Sequence, residues 1–143
     1  MITRINTDAV TGSITYAPSE ATSGNVTATI SFNKEEVTVT NNEGNTGYTF
    51  TANGSFTYEF VDSYGNTGSE TATVDWIDKT APTATSVSYS PDGNTNQPVE
   101  VTLVIDENVQ EIVGWTGSGT TWRKTYAENT TETVIFYDLV GNV

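Results

Sequence analysis

With 143 residues, a formal net charge of −13 and neither cysteine nor histidine, the chain excludes several classes at once. Disulfide scaffolds, thiol or imidazole catalysis and most zinc sites fall away with those two residue types. Eighteen acidic against five basic residues leave no basic surface for nucleic acid or an anionic membrane, and no apolar run is long enough to insert into a bilayer.

In chain order, residues 1–10 read as the remnant closing strand and linker of a preceding repeat. ITRINTDAV is a worn copy of TVDWIDKTAP, which pairs Ile5 with Ile77 and Asn6 with Asp78. Residues 11–78 form a first repeat with strands expected at 13–17, 25–32, 36–41, 47–52, 54–62 and 69–77. Its clearest signal is Val26, Ala28, Ile30 and Phe32 with Thr27, Thr29 and Ser31 between them, the period of a half-buried strand. Asn, Gly, Asp and Pro clusters punctuate these runs. Residues 79–83 are a linker, which Pro82 stiffens by fixing its own φ and restricting Ala81. Residues 84–143 form a second repeat with strands expected at 85–90, 98–105, 110–115, 121–127 and 131–138. Here FYDLVGNV restates the start of FVDSYGNTG, with Asp138 on Asp62 and Asn142 on Asn66 at an offset of 76 residues (62 to 138). No strand follows Asn142-Val143, so the second repeat lacks its last strand. The fold class is all-β, as two sandwiches in tandem.

The motifs Asp62–Asn66, Ile77–Pro82 and Asp138–Asn142 resemble the ends of bacterial immunoglobulin-like repeats found in cell-surface and adhesin proteins. That resemblance implies Greek-key immunoglobulin-like sandwiches in an elongated row and an extracellular, cell-surface or secreted setting. It implies a non-catalytic spacer or stalk, flanked by adjacent repeats of the same protein. No catalytic constellation appears: Glu35-Glu36 would point to opposite faces of a strand, and there is no phosphate loop or nucleophile elbow.

Sandwich topology places Asp106-Glu107-Asn108 and Asp138–Asn142 at one pole of the second repeat, near Asp78. Asp78, Asp106, Glu107, Asp138 and Asn142 are therefore candidate ligands for Ca²⁺, a hard cation that prefers oxygen. The competing reading makes Asp62 and Asp138 turn-forming residues that accept nearby backbone N–H groups. The corresponding pole of the first repeat offers Lys34 and Asn6 instead of acids and reads as the weaker site. Trp115 and Trp122 flank a turn and are the candidates for an alternative role, a carbohydrate- or protein-binding module; the competing reading packs Trp115 in the core and makes Trp122 core or half-exposed. Lys34, Lys79 and Lys124 raise a covalent Lys–Asn bond, with Lys124, at a parity that partly buries its stem, as the candidate. Finally, the open edge of the second repeat could receive Ile2-Thr3-Arg4-Ile5 of another copy, a head-to-tail self-association.

Overall fold

The computed structural model describes residues 5–143. The chain is all-β, and among the described residues its one helical piece is the 3-10 turn Asn42–Gly44. It divides into two compact units, the first ending at Asp78 and the second beginning at Lys79.

The first unit contains β1 (Gly12–Ala17), β2 (Val26–Phe32), β3 (Thr38–Val39), β4 (Gly47–Phe50), β5 (Gly54–Val61) and β6 (Thr67–Val74). They pair into two antiparallel sheets, ordered β1-β2-β4 and β3-β5-β6. Alternation dictates the faces: in β2, Val26, Ala28 and Ile30 are buried while Thr27, Thr29 and Ser31 meet solvent. Burying a side chain of the Val or Ile class is worth about 1.5–3 kcal/mol, which fixes the register against a one-residue slip. One apolar core takes Val26, Ile30 and Phe50 from the first sheet and Tyr58, Phe60, Ala72 and Val74 from the second. The buried Tyr58 hydroxyl donates to the Ala28 carbonyl at 2.9 Å, so its polar tip is satisfied. Tyr48 stacks on Phe56 with centroids 4.0 Å apart. Gly68 is required by packing, since a Cβ there would lie 2.5 Å from Phe60 Cε2 and 2.8 Å from the Val10 carbonyl oxygen.

The stretch expected to belong to a preceding repeat is, in its described part, built into this unit. Val10 is buried in the core, and Asn66 Nδ2 donates to the Asn6 carbonyl at 3.0 Å. Of the expected donor strand, residues 2–4 lie outside the described residues, and Ile5 is exposed outside any strand.

The second unit holds β7 (Ala84–Ser90), β8 (Val99–Ile105), β9 (Thr116–Ser118) and β10 (Thr121–Tyr126) in one antiparallel sheet ordered β7-β8-β10-β9. Leu103, Ile105, Val109, Ile112 and Trp122 form its core, with Trp115, Val134 and Phe136 packed against them. The strands expected at 110–115 and 131–138 do not form. Residues 112–115 turn instead, with the Trp115 N–H on the Ile112 carbonyl at 3.0 Å. Residues 131–137 carry no ladder and are tied in by a Val109–Asp138 bridge and the Gln110 N–H on the Tyr137 carbonyl. A strand exists through its neighbour's hydrogen bonds. In the first unit β5 receives eight register pairs from β6, and no described residue plays that part for 131–137.

Candidate functional site

Asp62 and Asp138 organise two turns of the same construction. The Asp62 Oδ1 accepts the N–H groups of Tyr64 and Asn66 at 2.9 and 2.8 Å, and Oδ2 accepts Asn66 Nδ2 at 2.8 Å. Asp138 repeats this with Val140 and Asn142 at 2.9 and 2.8 Å, and with Asn142 Nδ2 at 2.6 Å. In both, the glycine before the Asn has a positive φ, +89° at Gly65 and +95° at Gly141. The Asx-turn reading of these aspartates therefore holds in the structure.

The surroundings of the two turns differ in charge. In the first unit the Lys34 ammonium binds Asp62 Oδ2 at 2.8 Å and also donates to the Asp8 carbonyl. Lys34 is the main reason that the Asp62 carboxyl lies well below the usual carboxylate range; burial opposes it, and the Asn66 and Tyr64 donors add to it. The preceding residue fixes the correspondence. Asn33 exchanges hydrogen bonds with Thr11, its N–H to the Thr11 carbonyl and its Oδ1 from the Thr11 N–H. Asp106 makes the same exchange with Thr83 at 3.0 and 2.8 Å. Glu107 thus stands where the first unit has Lys34, and its carboxylate comes within 4.8 Å of that of Asp138. Burial raises the Asp138 pKa, but the donors from Asn142, Val140 and Gly141 outweigh it and leave it below the ordinary value.

Of the expected ligands, the second unit thus brings Glu107 and Asp138 together. Asp106 and Asn142 lie beside them, engaged as the Thr83 acceptor and the Asp138 donor. Asp78 ends the first unit, half-buried, with its N–H on the Thr22 carbonyl at 2.8 Å. Sequence reasoning counted Lys34 as a deficiency and missed that it is the cation for Asp62. The signal was available in the alignment of Lys34 with Glu107.

The two tryptophans do not form an exposed pair. Trp122 is 4% exposed, and its Nε1 donates to the Gly119 carbonyl at 3.2 Å. Trp115 packs against the core, and its buried indole N–H has no hydrogen-bond partner among the described residues. Lys124 pairs with Glu132 at 2.7 Å, which makes it an ion-pair donor rather than a partner for an Asn. Tyr126 donates to the same carboxylate at 2.5 Å. Burial first, and the Glu132 carboxylate second, push the Tyr126 phenol up to about 12, while Lys124 chiefly holds Glu132 below its ordinary value. This cluster stands where the first unit has its Tyr48–Phe56 stack: Tyr48 faces Ala28 across its sheet as Lys124 faces Val101.

Beside the cluster runs a groove of about 1000 Å³, lined by Val87, Tyr89, Leu103, Trp115, Val134 and Phe136 among others. Val87 and Tyr89 are 50% and 55% exposed on β7.

The family described as Type II transport protein GspH matches residues 6–119, which lie in both units. Among curated proteins and among solved structures there is no match. The family match overturns the resemblance to tandem immunoglobulin-like repeats of adhesins, and with it the spacer or stalk role and the alternative of a carbohydrate- or protein-binding module. The reason for the misreading is local. The Asp-x-x-Gly-Asn turns that carried the resemblance do their work through hydrogen bonds within five residues. A turn of that kind closes strands in many β proteins and does not single out a family.

Proposed function

The chain belongs to the family of the type II transport protein GspH, and from that premise we propose that it is a non-catalytic structural component of a type II transport apparatus at the cell envelope. The match over residues 6–119 carries this reading. The composition supports the non-catalytic part, since a chain without His or Cys lacks the usual bases and thiol nucleophiles. The apparatus would supply protein partners, and no helix among the described residues is long and apolar enough to cross a membrane. We also read the first unit as an immunoglobulin-like Greek-key sandwich. The support is the first unit's pair of three-stranded antiparallel sheets around one core. Deleting the gene in its host tests the role. Loss of type II transport, restored by the intact chain, is the expected result; undiminished transport would remove the chain from that apparatus.

We further propose that Ca²⁺ binds at the pole of the second unit through Glu107 and Asp138, with Asp106 and Asn142 as further oxygen donors of that unit. The supporting observation is the exchange of a lysine for a glutamate at the position facing the turn aspartate. A hard cation there would do for Asp138 what the Lys34 ammonium does for Asp62. Calorimetric titration with Ca²⁺ after chelator treatment should give saturable binding and a higher Tm by mass action. Glu107→Lys, which copies the first unit's solution, should abolish both. Melting curves that are identical in calcium and in chelator would leave Asp138 a turn residue only.

A further inference from the structure

Past the end of β6 the chain leaves its sheet, and Ile77 bridges in parallel to Thr22. The Thr22 N–H donates to the Trp76 carbonyl at 3.1 Å, and the Asp78 N–H donates to the Thr22 carbonyl at 2.8 Å. The backbone groups of Ile77 itself point the other way, and there a side chain takes the part of a strand. Asn53 Oδ1 accepts the Ile77 N–H at 2.8 Å, and Asn53 Nδ2 donates to the Ile77 carbonyl at 2.9 Å. That two-way exchange is what a residue of an antiparallel strand gives its neighbour. It closes the first unit, because Ile77 is buried in the core and Trp76 packs against it.

The fold explains Asn53 but not the residue after it. Asn53-Gly54 is the one Asn-Gly pair in the sequence. Gly54 begins β5 opposite Val74. A Cβ there would meet nothing within 4 Å, and its φ lies outside the left-handed region, so neither packing nor backbone demands glycine. Its counterpart in the second unit, at the offset of 76 residues (54 to 130), is Thr130. What glycine does at this place is leave the nitrogen that follows Asn53 unshielded by any Cβ.

We propose that Asn53 is a site of spontaneous deamidation, and that its conversion irreversibly opens the latch on Ile77. The Gly54 nitrogen bonds to Asn53 Cγ, the Cγ–Nδ2 bond breaks, and ammonia leaves carrying the Gly54 amide proton. Water then opens the cyclic imide at either carbonyl, which gives aspartate or isoaspartate. The nitrogen expelled is the one that donates to the Ile77 carbonyl, so the latch is given up in the reaction. It cannot form again in the same way. A carboxylate has no proton to donate and would face the Ile77 carbonyl as one acceptor against another. The Ile77 carbonyl loses its partner, and the segment Trp76–Asp78 loosens. This latch lies within the first unit and is independent of the transport role.

Incubating the full chain at mildly alkaline pH, followed by peptide mapping, tests this. Asn53 should exchange its NH for an oxygen ahead of every other asparagine, in both aspartate and isoaspartate forms. In urea, where the latch is gone, the conversion should run severalfold faster. Gly54→Val places a strand-forming residue where a side chain meets nothing, so the circular dichroism spectrum should be kept while conversion slows about tenfold. Asn53→Asp supplies one product directly and should speed hydrogen exchange at the Ile77 and Asp78 amides about tenfold. Conversion led by another asparagine, equal rates with and without urea, or a wild-type rate in Gly54→Val would each overturn the proposal. So would unchanged exchange at Ile77 and Asp78 in Asn53→Asp, since the side chain would then not be the latch.

Discussion

At the scale of single residues, the turn at Asp62 combines a backbone and an electrostatic requirement that can be separated. A Cβ at Gly65 would meet nothing within 4 Å, so the only obstacle to substitution is its φ of +89°. Gly65→Val should therefore cost about 1–3 kcal/mol through strain alone, measured by denaturant unfolding. A much smaller loss would mean that the turn relaxes. The Asp62 carboxyl has its folded pKa below its unfolded one, so its stabilisation is complete above the unfolded value, about 3.9, and drains away as pH falls toward the folded value. Asp62→Asn should flatten the acid limb of the first unit's stability below about pH 4 and leave the slope near neutrality unchanged. A wild-type slope in that variant would place the acid sensitivity elsewhere. Sequence alone gave this turn away through its Asp, Gly and Asn, because turn chemistry is local. Periodicity hid the Lys34 partner, twenty-eight positions distant, because an ion pair across loops leaves no periodic trace; only the alignment of Lys34 with Glu107 between the two units points to it.

At the scale of elements, strands with strict alternation were legible nearly to the residue. β2 was expected at 25–32 and runs Val26–Phe32, and β5 was expected at 54–62 and runs Gly54–Val61. The failure at 131–138 has the opposite cause. The pattern there suits a strand, but pairing depends on a neighbour that the pattern does not contain. The swap of the Tyr48–Phe56 stack for the Lys124–Glu132 pair is another element-level difference, between an aromatic filling and a charged one. It has a spectroscopic consequence. Glu132→Gln removes the carboxylate that helps to raise the Tyr126 phenol to about 12, so the Tyr126 titration should move down toward the ordinary value of about 10. It should stop short of it, because burial is the larger cause. A Tyr126 resonance that titrates unchanged would disconnect the two groups.

At the scale of the molecule, the two units bury unequal cores. Eleven apolar residues fill that of the first and five that of the second, among those described. With roughly 1.5–3 kcal/mol for each large apolar side chain buried, the second unit should be the weaker. Thermal or denaturant unfolding should show two transitions, and Trp122→Ala should lower only the earlier one. A single transition shifted as a whole by that substitution would mean that the units unfold together. The architecture at this scale was legible as all-β because alternation pervades the chain, while the family was not, since short turn motifs report on local backbone and not on descent.

Backbone that holds no ladder is also backbone that an enzyme can thread through its cleft. Residues 127–133 are all exposed and belong to no strand. Proteases cut where chain can be drawn out extended without first breaking sheet hydrogen bonds. The bond after Glu128, near the start of that stretch, should be the first lost to a glutamate-specific endoprotease, well before that after Glu59 within β5. The early product would end at Glu128 and lack the Asp138 turn. A digest that begins in the first unit instead would mean that the second is sheltered by contacts of its own.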